Sequence, residues 1–307
     1  MPLAQSAAPW SGCAYGGTSG TIADAASFRR GLRRRIPDAL KPSLRALANW
    51  VDPVVVSLYG SATQQPHSVP PRRLRASVGQ PSVRAYLDEG AVVAGEVQDL
   101  LRRLGRPLAT FESLCDLASG PGKVLLALDA PTPARLSAID VNRPAIEWLR
   151  RRRPDVDARA EPPLPPTSFP PEAFDLVLSI SLFTHLDESS HLAWVSEVAR
   201  LLRPGGLGLI TVHGETAYEG FRAGNRLGIS AAQLAALRAR APLEDEGFVF
   251  EPEPRPEQRI PGVATGWGLA FHSHRYIRER WSPHLLVKQI LPAALNFRQD
   301  AVVVSGH

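Results

Sequence analysis

The stretch LCDLASGPGKVL, residues 114–125, decides the fold that this sequence predicts. Its apolar residues around Asp116 are typical of a short strand covered on both faces, which a tight glycine turn and the start of a helix should follow. Gly120 and Gly122 allow backbone angles, and a close approach of a ligand, that a Cβ atom would block. The N–H groups at the start of that helix would favour a carboxylate or a phosphate above the turn.

Two better-known glycine motifs do not fit these residues. A dinucleotide-binding fingerprint needs Gly-x-Gly-x-x-Gly, and Leu125 stands where the third glycine would be. A phosphate-binding loop needs Gly-x-x-x-x-Gly-Lys-Ser/Thr, but Leu117 replaces its first glycine and Val124 replaces the hydroxyl that would hold magnesium. The pattern that remains is an acidic residue followed by x-small-x-Gly-x-Gly.

Length and composition restrict the class of protein. A chain of 307 residues with 44% hydrophobic residues can form one large domain with an extension, or two small domains. Cys13 falls in a loose tail and Cys115 in the predicted strand, so no disulfide is expected and a reducing cytoplasm is the default compartment. Neither a membrane span nor a secretory signal is predicted.

The basic charge does not identify a partner by itself. The net charge of +5 is a small excess, and only Lys41, Lys123 and Lys288 are lysines, so a nucleic-acid partner is not favoured. The arginine cluster at 29–35 could place an amphipathic helix weakly on an anionic membrane surface, or it could be the solvated face of a small helical extension. The second interpretation is favoured.

The order of predicted elements gives an α/β fold. Residues 1–20 predict a disordered tail, residues 21–71 a helical extension and linker, and residues 72–307 the main domain. After the strand at Asp116, strands are predicted at 134–140, 156–160, 173–181, 207–213, 263–273, 285–290 and 300–304. Helices are predicted at 82–104, 142–153, 189–202, 231–240 and 274–281. This alternation favours a parallel sheet with helices on both faces and an antiparallel edge.

Further motifs appear downstream in a fixed order. These are FDLV (174–177), FTHL (183–186), LRPGG (202–206) before a strand, and a tail with Tyr276-Ile277, Trp281 and Gln299-Asp300. With the glycine loop, this set resembles the class I S-adenosylmethionine-dependent methyltransferases, in particular small stand-alone bacterial ones, from Arg72 to the C-terminus. The resemblance implies a Rossmann-like, doubly wound, mostly parallel seven-stranded sheet with an antiparallel edge strand. It also implies S-adenosylmethionine as cofactor. The family's usual first loop glycine is Ala118 here.

The resemblance also assigns the cofactor's polar groups to residues at the strand ends. Asp116 would face the ammonium group of the cofactor, and Asp140 would accept both ribose hydroxyls, because a carboxylate offers two acceptor oxygens. Backbone N–H groups around Gly120 and Gly122 would bind the cofactor's carboxylate at the helix N-terminus.

The remaining expected cofactor contacts are mostly apolar or small. Leu117 and Ala118 belong to the loop, Val141 would pack on the adenine, and Glu161 is nominated as an adenine contact because segment 158–161 has no Asp or Asn where one is common. The other side of the cofactor would be lined by Ser179, Ile180 and Ser181.

Methyl transfer needs a base only when the acceptor is a poor nucleophile such as an alcohol or phenol. His213, after the fifth strand, and His185 are the candidates. A metal site is not expected, because His272 and His274 have no partnering carboxylates at the usual ligand spacing.

The predicted function is methyl transfer from S-adenosylmethionine to a small-molecule or sugar acceptor, at oxygen. Two alternatives remain. One is a non-catalytic scaffold with this fold, which Ala118 and the weak match of the acid after the third strand leave open. The other is a nicotinamide-dependent oxidoreductase, against which the missing third glycine argues. The extension before Pro70 and the segment 214–261 are expected to form a lid or acceptor pocket. The sequence does not set the acceptor's identity or the oligomeric state.

Overall fold

The computed structural model describes residues 46–53, 55–56, 69–128, 135–224, 229–254, 266–296 and 298–307. The predicted tail, the arginine cluster with its membrane contact, and residues 64–68 of the predicted linker lie outside these ranges. The chain divides into two units, Met1–Val51 and Asp52–His307. In the first unit the described residues 46–51 are helical. All elements named below belong to the second unit.

A seven-stranded sheet forms the centre of the second unit, with the strand order β3-β2-β1-β4-β5-β9-β8. The strands of this sheet are β1 (Ser113–Leu117), β2 (Arg135–Asp140), β3 (Val156–Ala160), β4 (Phe174–Ser179), β5 (Leu202–Val212), β8 (Leu286–Leu295) and β9 (Gln299–Ser305), and β6 (Phe248–Pro252) and β7 (Gly268–His272) form a separate pair. The predicted α/β, Rossmann-like, doubly wound sheet is therefore confirmed. One detail differs, because the antiparallel strand is β9, which lies between β5 and the edge strand β8 and pairs antiparallel with both.

Helices cover both faces of this sheet. The helices described in this unit are α1 (Arg72–Ser77), α2 (Val83–Arg103), α3 (Arg143–Arg152), α4 (Glu188–Leu201), α5 (Glu215–Arg222), α6 (Ala231–Ala239), α7 (Leu243–Glu246) and α8 (His274–Trp281). The strand β1 shows why two layers form. Leu114 packs into the core on one face of the sheet, whereas Cys115 and Leu117 pack into the core on the other. A strand that is buried on both faces needs apolar residues on each of them, which Leu114, Cys115 and Leu117 supply, while Asp116 is a buried polar exception.

The helix predicted after the glycine loop does not form as an α-helix. The loop leads into one turn of 3₁₀-helix, Leu125–Ala127, and the chain leaves it in extended conformation at Leu128. The sequence supplies the reason, because Pro131 and Pro133 follow within a few residues and proline interrupts helical hydrogen bonding. The prediction of a regular α-helix after this loop was therefore wrong, and a single helical turn stands in its place.

A small two-stranded sheet follows β5. Its strand β7 lies within the strand predicted at 263–273, but β6 and the separate pairing of the two were not predicted. The strands β6 and β7 form an antiparallel pair, with Val249 opposite Phe271. A small apolar core joins this pair to α5, α6 and α7 and contains Tyr218, Phe221 and Leu237. The backbone of the loop after β4 extends the pair, since Ala270 N–H donates to the carbonyl of Thr184.

Within the described ranges, none of the helices has the length and apolar character that crossing a bilayer requires.

Candidate active site

The carboxyl ends of β1, β2 and β4 lie side by side at one edge of the sheet. Leu117 pairs with Ile139 of β2 on one side and with Ser179 of β4 on the other. The strand order reverses here, since β2 and β3 lie to one side of β1 while β4 and β5 lie to the other. Open α/β sheets bind their ligands at such a switch point, beyond the carboxyl ends of the strands. Asp116 and Asp140 both lie at this edge, as predicted.

Asp140 connects β2 to the glycine loop. Its two carboxylate oxygens accept hydrogen bonds from the backbone N–H of Gly120 and of Asn142, both at 2.7 Å. Burial raises the pKa of the Asp140 carboxyl, and these two N–H donors act against that rise. Each carboxylate oxygen has two lone-pair positions, so one acceptor site on each oxygen is left for a ligand.

The glycine loop holds three residues in left-handed backbone conformation. These are Ala118 (φ 59°), Gly120 (φ 55°) and Gly122 (φ 80°). The N–H of Gly122 donates to the carbonyl of Ser119 at 2.9 Å, and that of Gly120 is used by Asp140. The carboxylate-binding role expected of these two N–H groups therefore has no support in the geometry. A Cβ atom on Gly120 would lie 2.8 Å from Cγ1 of Val78, so glycine is needed here for packing as well as for backbone angle.

Asp116 faces a residue that the sequence analysis missed. Tyr86, near the start of α2, is 2% exposed, and its buried Oη has no hydrogen-bond partner in the described structure. The Asp116 carboxylate is close enough to raise the pKa of Tyr86 further, while burial is the largest cause of that rise. Burial, followed by the charge of Asp140, raises the pKa of Asp116 to about 7. The available signal in the sequence was a hydroxyl-bearing residue on a helix face whose other buried residues are apolar or glycine.

The helix α2 holds Tyr86 in place by packing against the glycine loop. The carboxylate of Glu89 forms an ion pair with the ammonium of Lys123. Gly90 lets the two backbones approach, because a Cβ atom there would lie 2.7 Å from the carbonyl oxygen of Lys123. Arg75 of α1, which is 1% exposed, forms an ion pair with Asp52 at 2.5 Å.

The other predicted cofactor contacts differ in whether their side chains are exposed to a ligand or already bonded within the protein. Val141 and Ile180 are partly exposed. The Glu161 carboxylate accepts a hydrogen bond from the backbone N–H of Ser168 at 3.2 Å and contacts its hydroxyl, so it closes the proline-rich loop. Nothing in this geometry supports Glu161 as an adenine contact.

The serines after β4 are tied to the end of the sheet. Ser179 is buried, and its Oγ has no hydrogen-bond partner in the described part of the chain. Ser181 has a φ of 64°, and its Oγ accepts from Nδ2 of Asn296 at 2.6 Å and from Nε2 of Gln299 at 2.9 Å. The β8–β9 turn therefore supports the loop that was expected to line the cofactor.

The two predicted catalytic histidines are packed rather than open. Nδ1 of His185 lies 2.8 Å from the carbonyl oxygen of Gly268, and its ring stacks on Trp267 with centroids 4.4 Å apart. Burial lowers the pKa of His185. His213 is 9% exposed and its ring lies 5.2 Å from that of Phe221 and 5.4 Å from that of Phe271.

A third histidine lies between two carboxylates at the same edge. Nε2 of His274 is 2.6 Å from Oδ2 of Asp300 and 3.0 Å from Oε2 of Glu215. The sequence analysis considered His274 but found no carboxylate at ligand spacing. The two partners come from positions 59 and 26 residues away, so only the fold brings them together. One ligand atom from each of the three residues lies within 4.8 Å of the others, a grouping that could also hold a metal ion.

A family model described as "Methyltransferase domain" matches residues 114–206, from the glycine loop to LRPGG. Residues 114–206 thus match a methyltransferase domain, in agreement with the resemblance of the motifs to the class I S-adenosylmethionine-dependent methyltransferases. S-adenosylmethionine is the methyl donor of this family, and the matched segment contains β1 to β4 and the start of β5. The carboxyl ends of β1, β2 and β4 lie within this matched segment.

Several solved structures are similar to this chain at low sequence identity. A protein from Pyrococcus horikoshii is 14% identical over 68% of this chain and 86% of its own, with a TM-score of 0.45. DesVI of Streptomyces venezuelae is 17% identical over 71% and 92%, with a TM-score of 0.47. Geranyl diphosphate C-methyltransferase of Streptomyces coelicolor, solved with Mg²⁺, geranyl diphosphate and S-adenosyl-L-homocysteine, is 13% identical over 69% and 77%, with a TM-score of 0.45. At these values the assignment rests on the family model and the strand order.

Proposed function

We propose that this methyltransferase binds S-adenosylmethionine at the ends of β1 and β2 and transfers its methyl group to an oxygen of a small molecule, the sugars being one class that fits. One observation carries the proposal. Asp116 and Tyr86 are both buried at the switch point, and the charge of Asp116 acts on Tyr86. The Oη atom of Tyr86 has no hydrogen-bond partner among the described residues. Buried polar groups are rarely left unsatisfied, so such a group favours a bound ligand.

The chemistry of these side chains fits the cofactor's groups. The carboxylate of Asp116 suits the ammonium group of the methionine part. The Tyr86 hydroxyl can donate a hydrogen bond to the carboxylate of the cofactor. It would take the role that was expected of the N–H groups of Gly120 and Gly122, which are used within the protein. Asp140 can accept the ribose diol while it keeps its bonds to Gly120 and Asn142. Val141 and Ile180 offer apolar contacts for the adenine.

Methyl transfer from a sulfonium is an in-line displacement with a good leaving group. The protein therefore contributes mainly by holding the acceptor atom in line with the methyl carbon and by excluding water. Residues beyond β4 and β5 are our candidates for this task. In their support, the loop after β4 pairs with β7, and Gly268 N–H donates to the carbonyl of His185 at 2.9 Å. We propose that the β6–β7 pair and α5 to α7 line the acceptor side.

Cofactor binding tests the proposal directly. Isothermal titration of the full chain with S-adenosylmethionine should give saturable heat. Asp140→Asn should weaken binding about tenfold or more, because hydrogen bonds to a charged group contribute about 1.5–3 kcal/mol. Asp155→Asn, at an exposed ion pair with Arg153, is the matched control and should bind as the wild type does. Folded protein that gives no heat at high micromolar cofactor would contradict the proposal.

The alternative functions have different signatures. A nicotinamide-dependent oxidoreductase would bind reduced nicotinamide cofactor in a fluorescence titration, and we expect no such binding. A non-catalytic scaffold would bind S-adenosylmethionine but would release no S-adenosylhomocysteine with any hydroxylated acceptor. A cytoplasmic compartment is proposed on the cysteine content alone.

A further inference from the structure

His274 is held by two carboxylates in a way that fixes its ring. The ring atom Nε2 is 2.6 Å from Oδ2 of Asp300 and 3.0 Å from Oε2 of Glu215. The other oxygen of Glu215 accepts the backbone N–H of His274 at 2.8 Å. A neutral imidazole in this setting carries its proton on Nε2, because a carboxylate only accepts hydrogen bonds. The lone pair is then on Nδ1, to which no described residue hydrogen-bonds.

The chain is built to place Asp300 at this point. Asp300 is completely buried, and its Oδ1 accepts the backbone N–H of Ala293 at 2.9 Å. Its Oδ2 occupies the space beside Gly214, where a Cβ atom would lie only 1.8 Å away. Burying a carboxylate costs free energy unless both of its oxygens have partners. Ala293 N–H is the partner of one oxygen of Asp300, and His274 is the partner of the other.

The cluster lies on the acceptor side of the cofactor edge. Asp300 pairs with Val212 in the register of β9 and β5, and β5 lies next to β4, whose end lines the expected cofactor site. Neighbouring strands are about 4.8 Å apart, so β9 lies about 10 Å from β4. The ring of a small acceptor can bridge that distance. The His274 side chain is 30% exposed, whereas His213 is 9% exposed and the ring of His185 is stacked on Trp267.

We propose that His274 is the base that removes the acceptor's hydroxyl proton. This inference rests on the proposed function and specifies its acceptor as a neutral alcohol or phenol. As the hydroxyl oxygen forms its bond to the methyl carbon, the carbon–sulfur bond breaks and its electron pair stays on sulfur. The hydroxyl proton moves to Nδ1 of His274, and solvent later receives it. Asp300 and Glu215 are positioning residues, which keep the proton on Nε2 and stabilise the imidazolium that forms.

Nitrogen NMR of the imidazole tests this role without any acceptor. Protein labelled with ¹⁵N-histidine should show His274 as the Nε2–H tautomer when neutral, with the signal assigned through His274→Gln. The titration midpoint should lie above 6.5, because Asp300 and Glu215 raise the pKa of His274 more than burial and Arg278 lower it. Glu215→Gln, and Asp300→Asn where it folds, should lower the midpoint. An Nδ1–H tautomer in the neutral form, or a midpoint that neither carboxylate substitution lowers, would overturn the proposal.

Kinetics with a panel of sugars and phenols tests the proton transfer itself. His274→Gln should lower kcat about 100-fold or more at neutral pH with little change in KM, because general-base catalysis contributes about 10²–10⁴. His284→Gln, a partly exposed histidine just after α8, is the matched control. Turnover that His274→Gln leaves unchanged, or that occurs only on acceptors without a proton to lose, would overturn the inference.

Two further measurements distinguish a base at His274 from a failed cofactor site and from a metal site. Isothermal titration with S-adenosylmethionine should give equal affinity for wild type and His274→Gln, and loss of binding in both would contradict the proposed function instead. Mg²⁺, Mn²⁺ and Zn²⁺ should leave the Tm unchanged. A rise in Tm that Glu215→Gln abolishes would show that the cluster is a metal site, which would overturn the role of His274 as a base.

Discussion

Asp116 is the side chain whose charge a bound cofactor would alter most. In the free protein, burial and the neighbouring Asp140 carboxylate raise the pKa of Asp116 to about 7. The residue is 3% exposed, so water does little to stabilise its charge. An ammonium group beside it would favour the ionised form. The residue therefore links occupancy of the site to pH.

This linkage predicts that cofactor affinity rises with pH. Below pH 7 Asp116 must lose a proton before it pairs with the ammonium, so affinity should fall by about tenfold for each pH unit well below 7 and level off above it. Titration at pH 6, 7 and 8, in buffers with different ionisation enthalpies, should detect the released proton. Asp116→Asn should bind weakly at all three values with no pH dependence, whereas Asp155→Asn should keep the wild-type profile. A flat profile for the wild type would contradict the prediction.

Ala118 is strained where a glycine would not be. Its φ of 59° is left-handed, which costs a residue with a Cβ atom about 1–2 kcal/mol. Ala118→Gly should therefore raise the free energy of unfolding by about 0.5–1 kcal/mol, after the added flexibility of the unfolded chain is subtracted. Urea unfolding measures this change. Ala91→Gly, at an exposed position within α2, should do the opposite, and destabilisation by both variants would show that Ala118 is not strained.

The Tyr86 hydroxyl is expected to serve binding rather than stability. Because Oη is buried without a protein partner among the described residues, Tyr86→Phe should leave the free energy of unfolding unchanged or raise it by about 1 kcal/mol. The same variant should weaken S-adenosylmethionine binding about tenfold, the value of one hydrogen bond to a charged group. Lost stability with unchanged affinity would assign Tyr86 a structural role only.

At the scale of elements, α2 supports the site through one close contact between backbones. Gly90→Ala would place a Cβ atom 2.7 Å from the carbonyl oxygen of Lys123, so the helix must move away from the glycine loop. We expect a loss of about 1–3 kcal/mol in unfolding free energy, together with weaker cofactor binding. Gly95→Ala in the same helix has no atom within 4 Å of the new Cβ and should stabilise by up to about 1 kcal/mol. Thermal unfolding and titration of the two variants should separate them, and equal effects would contradict this contact.

Elements with a strong local pattern could be predicted from the sequence, and the others could not. The helix α8 begins at His274 and ends at Trp281, as predicted, because Ser273 caps it and its apolar residues recur at helical spacing. The sequence around β6 carries a weaker signal, since a five-residue strand that pairs with β7 and the loop after β4 depends on partners distant in sequence. The motif favoured a helix after Gly122, and the prolines at 131 and 133 oppose one.

The candidate site divides in the same way. Each of the first two strands carries an aspartate at its carboxyl end, Asp116 in β1 and Asp140 in β2. The carboxyl ends of parallel strands meet at one edge of a sheet, so the sequence was enough to predict that these residues share that edge. The pairing of His274 with Asp300 and Glu215 depends on β9 lying between β5 and β8. That position is set by the whole sheet and not by any local pattern.

At the scale of the whole molecule, buried histidines make the fold sensitive to acid. His191 and His272 are completely buried. Burial lowers the pKa of His191 to about 3 and holds the pKa of His272 well below its usual range. Both are neutral in the native state but titrate near 6.5 when unfolded. Between pH 6.5 and 4 the unfolded chain therefore binds two more protons than the native state at these positions, and stability falls as pH falls.

Asp116 acts in the opposite direction, and the balance gives a measurable slope. Its raised pKa means that the native state binds a proton between pH 7 and 4 that the unfolded chain does not, which offsets one of the two histidines. From pH 6 to 5 these three groups together should lower the free energy of unfolding by about 1.4 kcal/mol, the value of one net proton per pH unit. Asp116→Asn should steepen the measured slope by about 1.4 kcal/mol per pH unit, and His272→Leu should flatten it by about the same amount. Urea unfolding across this range would contradict the prediction if the slope did not respond to either substitution.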